Sequence, residues 1–127
     1  MNTERLPRIL VIDDEHFIRD LLMDFFSKSG YEIVIAPDGN RGIAEVGKST
    51  FDAVLVDLKM PDKNGTEVLA EIRAIDAGLP VIIMTGYPTV EASIEALRHG
   101  AHDFIVKPFR LHDLKDRIDR AIRSRLV

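Results

Sequence analysis

RILVIDD, residues 8–14, is the stretch of sequence that decides the fold: a short apolar run, rich in β-branched residues, ends at two aspartates. Four similar runs follow along the chain, at residues 32–35, 53–56, 81–84 and 104–106. Each run is continuous and does not alternate with polar residues, which is typical of strands covered on both faces of a sheet. The five runs therefore predict five buried strands.

Segments with helical spacing separate these runs. The first carries apolar residues at one- and four-residue intervals from Phe17 to Phe26, and it ends near Gly30, a typical helix stop. The other apolar stripes lie at residues 43–46, 68–75, 90–97 and 111–122. Strands that alternate with helices imply right-handed crossovers between parallel strands. We expect an α/β fold with a single doubly wound, five-stranded parallel sheet and five helices.

Composition excludes several classes of protein. Of 127 residues, 46% are hydrophobic and 30% charged, so we expect one folded domain over residues 1–127 rather than a disordered chain. No apolar run approaches the roughly 20 residues that span a bilayer, and the first residues, MNTERLPR, contain no apolar signal core. The lack of cysteine excludes disulfides and thiolate metal sites. These features favour a cytoplasmic protein without membrane contact, and a net charge of −4 argues against nucleic-acid binding by this chain.

Polar side chains stand at the ends of four of the five runs. Asp13 and Asp14 follow the first, Asp57 ends the third, Thr85 ends the fourth and Lys107 follows the fifth. Each residue alone could be an ordinary helix cap, turn residue or solvated charge. Because parallel strands point the same way, however, all of these ends meet at one edge of the sheet. The sequence therefore predicts one site with three carboxylates, a hydroxyl and an ammonium group.

Charge repulsion gives this cluster a chemical meaning. Two carboxylates about 5 Å apart repel by roughly 3 kcal/mol at an effective dielectric constant of about 20, and three such pairs approach roughly 10 kcal/mol. Lys107 offsets part of this, and the rest requires shared protonation or a divalent cation. Oxygen-only ligands favour Mg²⁺, for which Mn²⁺ could substitute. Asp57, ionised at neutral pH, could also act as a nucleophile toward a phosphoryl group and become an aspartyl phosphate.

Four motifs resemble the receiver domain of two-component response regulators. They are VIDDE (11–15), VLVDLKMPDKNG (54–65), MTGY (84–87) and DFIVKPF (103–109), and the similarity extends from about Arg8 to Arg123. The resemblance implies a flavodoxin-like sheet of strand order 2-1-3-4-5. It also implies a regulatory phospho-acceptor, not an enzyme acting on a separate substrate. The partner that supplies the phosphoryl group would be a sensor histidine kinase or a histidine phosphotransfer protein.

The resemblance further implies roles for the residues around the acceptor. Asp57 is the phosphorylation site. Asp14, Asp57 and the backbone carbonyl of Lys59 would bind Mg²⁺ directly, and Asp13 would bind it mostly through water. Lys59 and Tyr87 lie two residues after the acceptor and after the MTGY threonine, where family members tune the rate of phosphoryl hydrolysis.

A second group of implied roles concerns the response to phosphorylation. Thr85 and Lys107 would contact the phosphoryl oxygens, and the Lys107–Pro108 peptide bond would be cis. Thr85 and Phe104 would form the switch, in which Thr85 moves inward and the Phe104 ring fills the vacated space. A population shift between two packings would then report phosphorylation.

Two other kinds of protein fit the strand-end residues less well. An aspartate-nucleophile (HAD-like) phosphohydrolase uses a similar set of strand-end residues, but it expects a second acid two residues after the nucleophile, where this chain has Lys59. A nucleotide- or flavin-binding module expects a Gly-rich phosphate loop after the first strand, where this chain has Asp-Asp-Glu.

The sequence leaves alternatives for the interaction surfaces. The apolar stripe that begins at Phe17 is wider than a minimal core stripe, so it is either core alone or also a docking patch for the phosphotransfer helix of a kinase, as in relatives. The family's face of fourth helix, fifth strand and fifth helix could mediate a homodimer or output contacts. Aspartates interspersed among the arginines of residues 110–125 favour a solvated helix face over a DNA-binding element.

Overall fold

A computed structural model of the chain describes residues 5–87 and 89–126, so the outermost residues of the predicted 1–127 domain lie outside the described part. The strands are β1 (Arg8–Ile12), β2 (Glu32–Ala36), β3 (Ala53–Asp57), β4 (Val81–Thr85) and β5 (Asp103–Val106). The helices are α1 (His16–Lys28), α2 (Gly39–Lys48), α3 (Gly65–Ile75), α4 (Val90–Arg98) and α5 (Leu111–Leu126). Among the described helices, none is long and apolar enough to cross a bilayer.

The strands form one parallel sheet in the order β2-β1-β3-β4-β5, which confirms the predicted topology. Alternate residues of β1 enter different core layers, because side chains of a strand point to opposite faces. Ile9 and Val11 pack with α1 and α5, whereas Leu10 and Ile12 pack with α2, α3 and α4. Both faces of the sheet are therefore covered by helices, which explains why the strand sequences are continuously apolar.

The register of the sheet decides which residues meet at its carboxyl edge. The chain leaves β1 toward β2 on one side and returns to β3 on the other, so β1 and β3 flank the point where ligands bind in such folds. Ile12 pairs with Val56, so Asp13 and Asp57 are level with each other. Thr85 pairs with Val106, which places Lys107 directly beyond the end of β4.

Helix α1 buries only part of its apolar stripe. Leu22 and Phe26 are fully buried against the sheet, but the Phe17 side chain is 72% exposed. The helix ends where the sequence predicted, since Gly30 follows its last turn with a φ of +91°. Core packing alone therefore does not account for the width of the stripe.

Gly65 allows α3 to start directly behind the end of β3. A Cβ atom at this position would lie 2.9 Å from the Leu58 Cα and 3.0 Å from the Asp57 carbonyl oxygen, and these backbone atoms cannot move aside as a flexible side chain could. We expect Gly65→Ala to lower the free energy of unfolding by about 2 kcal/mol, as measured by urea denaturation.

Gly47, in the exposed part of α2, is the matched control for this prediction. A Cβ there would meet no atom within 4 Å, so Gly47→Ala should stabilise the protein by up to about 1 kcal/mol through helix propensity. A Gly65→Ala variant as stable as the unmodified protein would show that the close approach of α3 to β3 is not required.

Candidate functional site

Three carboxylates meet at the carboxyl edge of β1 and β3. One oxygen each of Asp13, Asp14 and Asp57 lies within 4.8 Å of the others. Asp13 and Asp57 are buried, and Asp14 is exposed to solvent. The structure thus brings together the three aspartates that the strand-end pattern selected, in a group that offers only oxygen ligands.

Lys107 supplies the positive charge of this cluster. Its Nζ donates hydrogen bonds to Asp13 Oδ2 at 2.8 Å and to Glu15 Oε1 at 2.9 Å, and it lies 3.5 Å from Asp57 Oδ1. The Lys107 backbone N–H donates to the Thr85 carbonyl oxygen at 2.7 Å, which fixes the residue at the sheet edge. The Lys107–Pro108 peptide bond is cis.

The cluster carries more negative charge than Lys107 balances. Burial and then the negative charge of Asp13 raise the pKa of Asp57 to about 6, despite the nearby Lys107. Burial also raises the pKa of Asp13, against the opposing effect of its hydrogen bond to Lys107. Burial opposes the charge on Lys107, but the hydrogen bonds to Asp13 and Glu15 prevail and raise the pKa of the lysine. The site therefore has the charge and the ligand type that suit a divalent cation.

Thr85 and Phe104 lie on the neighbouring strands β4 and β5. The Thr85 side chain is buried, and its hydroxyl oxygen accepts a hydrogen bond from the Tyr87 backbone N–H at 2.9 Å. Phe104, opposite Ile83 in the sheet, is partly buried and packs against the core layer that contains α3 and α4. The hydroxyl is therefore at the sheet edge, with the aromatic ring two positions back along β5.

Lys59 and Tyr87 contact each other at the mouth of the site. The Lys59 Nζ lies 4.5 Å from the centre of the Tyr87 ring, a cation–π contact between two exposed side chains. Both residues line an open cleft of about 430 Å³. The other lining residues are Asp14, Glu15, Asp57, Gly86 and Lys107. The family resemblance implied that Lys59 and Tyr87 border the acceptor but did not predict that they touch.

Glu15 is the site residue that sequence reasoning missed. It occupies the N-cap position of α1. Neither Asp13 nor Asp14 is therefore the helix cap that each could have been from the sequence alone. Asp13 Oδ1 instead accepts the Glu15 backbone N–H at 2.8 Å. The Glu15 side chain makes no capping hydrogen bond and reaches Lys107. Glutamate is not among the preferred N-cap residues, and its presence just before the helix was the sequence signal that Glu15 has another role.

The structure leaves two sets of apolar side chains accessible to solvent, one of them beside the site. A cleft of about 320 Å³ is lined by apolar side chains of α1 and of the segment after β5, with Glu15 and Lys107 at its rim. Its apolar lining residues are Phe17, Ile18, Leu21, Pro108 and Phe109. The second surface comprises exposed side chains of α4 and β5, namely Val90, Ile94, Leu97 and Val106.

Comparison with known proteins identifies relatives over nearly the whole chain. The family described as "Response regulator receiver domain" matches residues 9–119. The regulatory protein AtoC of Escherichia coli K12 is 39% identical over 118 residues, which is 93% of this chain and 26% of AtoC. Sporulation initiation phosphotransferase F of Bacillus subtilis 168 is 35% identical over 113 residues, which is 89% of this chain and 91% of that protein.

Structural comparison agrees with the sequence matches. The crystal structure of a CheY-like response regulator receiver domain protein from Methanospirillum hungatei JF-1 has a TM-score of 0.92 and 34% sequence identity, covering 95% of this chain and 97% of that one. The chain spans about a quarter of the length of AtoC and nearly all of the Methanospirillum hungatei chain.

Proposed function

The chain belongs to the response regulator receiver family, and we propose on this premise that it is a phospho-acceptor switch. Asp57 accepts a phosphoryl group from a sensor histidine kinase or a histidine phosphotransfer protein in a Mg²⁺-dependent reaction. The change of packing that follows controls an output partner or domain. The observation that carries the proposal is the Asp57 carboxylate, grouped with Asp13 and Asp14 and 3.5 Å from the Lys107 ammonium.

Asp13, Asp14, Asp57 and the backbone carbonyl of Lys59 would hold the Mg²⁺ ion, or Mn²⁺ in its place. These residues fit a divalent cation because they offer oxygen ligands and because Lys107 alone does not balance the negative charge of three carboxylates. Bound Mg²⁺ supplies positive charge to the acceptor and to the phosphoryl oxygens.

Phosphoryl transfer requires little covalent chemistry from the protein. An Asp57 carboxylate oxygen forms a bond to phosphorus while the phosphorus–nitrogen bond of a donor phosphohistidine breaks, and the imidazole nitrogen keeps the electron pair. The Lys107 ammonium, 3.5 Å from Asp57 Oδ1, and the Thr85 hydroxyl at the end of β4 would bind the phosphoryl oxygens on Asp57. Their contribution is positioning and charge stabilisation, which dominate such reactions.

The response to phosphorylation is a change at Thr85 and Phe104. A phosphoryl group on Asp57 draws the Thr85 hydroxyl inward and away from the Tyr87 N–H that it contacts in this structure. The Phe104 ring, already partly buried beside this core layer, moves into the space that Thr85 leaves. Phosphorylation thus favours one of two packings because the phosphoryl group binds that packing better.

The cleft beside α1 is the proposed docking site for the phosphotransfer helix of the partner. Phe17 is mostly exposed, and the cleft that it lines opens next to Lys107, so a bound helix would bring its histidine close to Asp57. The exposed surface of α4 and β5 is the proposed site of homodimer or output contacts. We assign no nucleic-acid contact to this chain, because its net charge is −4.

A phosphohydrolase acting on a separate substrate is the less favoured function. Lys59 occupies the position where such an enzyme needs a proton donor, and its ammonium rests on the Tyr87 ring. We therefore propose that Lys59 and Tyr87 tune the hydrolysis of the aspartyl phosphate.

Incubation with acetyl phosphate and Mg²⁺ tests the proposed function. Intact-mass spectrometry should show a single phosphoryl adduct that disappears when EDTA replaces Mg²⁺. An absent adduct, or one that EDTA leaves unchanged, would refute the metal-dependent acceptor. Multiple-turnover release of phosphate from a panel of phosphomonoesters would favour the hydrolase instead.

A further inference from the structure

The Glu15 side chain binds Lys107 and does not cap helix α1, although Glu15 is the N-cap residue of that helix. At an N-cap, a side-chain oxygen normally accepts a backbone N–H of the first helical turn. Glu15 accepts none, and no other acidic residue lies in the first turn of α1. Its carboxylate instead accepts a hydrogen bond of 2.9 Å from Lys107. Glu15 thus makes a contact with the site in place of a helix-capping hydrogen bond.

Glu15 also holds Lys107 more closely than the acceptor does. The lysine Nζ lies 2.8 Å from Asp13 and 2.9 Å from Glu15, but 3.5 Å from Asp57. The ammonium group has three N–H donors, and two of them are directed to the first two carboxylates. One N–H remains for a phosphoryl oxygen on Asp57, so a second hydrogen bond from Lys107 to the phosphoryl group would require one of the other two to break.

We propose that Glu15 is a positioning residue that competes with the phosphoryl group for Lys107 and so slows phosphoryl transfer to Asp57. This inference rests on the proposed function of the same site. Lys107 must give up its hydrogen bond to Glu15 in order to donate a second N–H to the phosphoryl group. The contact stabilises the unphosphorylated protein and is lost in the transition state, so it raises the barrier.

The position of Glu15 allows a partner to act on this competition. Glu15 and Lys107 line both the acceptor cleft and the apolar cleft of α1. A basic side chain on a helix docked in the apolar cleft would reach the exposed Glu15 carboxylate and release Lys107 toward Asp57. A small donor such as acetyl phosphate cannot do this, so it measures the barrier that Glu15 imposes.

Three single variants, compared with the unmodified protein, test the proposal. Glu15→Gln removes the charge, and Glu15→Asp keeps the charge but is too short for the contact with Lys107. Asp20→Asn removes a negative charge from the same helix; Asp20 pairs with His16, not with Lys107. Adduct formation from acetyl phosphate and Mg²⁺ is followed by intact mass over a range of donor concentrations.

Both Glu15 variants should raise the rate constant at saturating donor by about threefold, the size expected for a partly exposed ion pair. Asp20→Asn should leave the rate constant at saturating donor unchanged and should alter only the donor concentration at half-saturation. The ¹³Cε NMR shift of Lys107, recorded without metal or donor, should move in both Glu15 variants and stay fixed in Asp20→Asn.

Two results would overturn the inference while leaving the acceptor assignment intact. In the first, the adduct forms but both Glu15 variants keep the unmodified rate at saturating donor. In the second, Asp20→Asn accelerates transfer as much as Glu15→Gln, which would indicate a general charge effect. Failure of every protein, including the unmodified one, to form an adduct would instead reject the proposed function, and the Lys107 shift would still report whether Glu15 holds the lysine.

Discussion

Asp57→Asn is expected to abolish formation of the phosphoryl adduct from acetyl phosphate and Mg²⁺. Asparagine has nearly the same shape, but its amide oxygen is a poor nucleophile and carries no negative charge. The other aspartates of the cluster should not replace it. Asp13 is fully buried and engaged by Lys107 and the Glu15 N–H, and Asp14 is an exposed side chain that lines the cleft.

Asp24→Asn is the matched control for this experiment. Asp24 lies on the exposed side of α1, where it pairs with Lys28, so the variant should form the adduct at the unmodified rate. Intact mass after identical incubation gives the comparison. Retention of one adduct by Asp57→Asn would show that the acceptor is another residue.

Asp57→Asn is also expected to stabilise the folded protein when metal is removed by EDTA. Burial and the charge of Asp13 raise the pKa of Asp57 from 3.8 to about 6 on folding. Between these values the folded state binds more protons than the unfolded state, so stability falls as the pH rises through this range. Above about pH 6 the ionised Asp57 carboxylate lowers the free energy of unfolding by its full amount, about 3 kcal/mol for a pKa shift of about two units.

Urea denaturation at two pH values checks this prediction. Asp57→Asn should be more stable than the unmodified protein by about 2 to 3 kcal/mol at about pH 8, and the difference should shrink toward zero near pH 4. Asp24→Asn should differ little at either pH, because exposed ion pairs contribute little. A constant difference between Asp57→Asn and the unmodified protein across this range would mean that the ionised Asp57 is not destabilising.

The sheet was predictable because its sequence signal is local and strong. Runs such as residues 8–12 are typical of strands covered on both faces, their alternation with helical segments favours a parallel sheet, and the strand order came from the family resemblance. Helix α2 was harder to predict. Its apolar stripe at residues 43–46 is short because Gly42 faces Ile12, where a Cβ atom would overlap the buried isoleucine. Close packing of α2 on β1 thus weakened the pattern by which helices are recognised.

The buried members of the site were predictable for a similar reason. Asp13, Asp57 and Thr85 are fixed by strand register, so their convergence follows once the sheet is parallel. The contact of Glu15 with Lys107, and that of Lys59 with Tyr87, depend on the conformations of long, exposed side chains. No periodicity in the sequence specifies such conformations. Likewise, the stripe of α1 did not reveal which of its members remain exposed.

Chemical mapping of the acceptor tests the central claim most directly. Borohydride reduces an aspartyl phosphate to homoserine, which marks the modified position permanently in a peptide digest. After treatment with acetyl phosphate and Mg²⁺, we predict homoserine at position 57, and none there when EDTA is present. Homoserine at position 13 or 14, or in no peptide at all, would contradict the assignment of Asp57 as the metal-dependent phosphoryl acceptor.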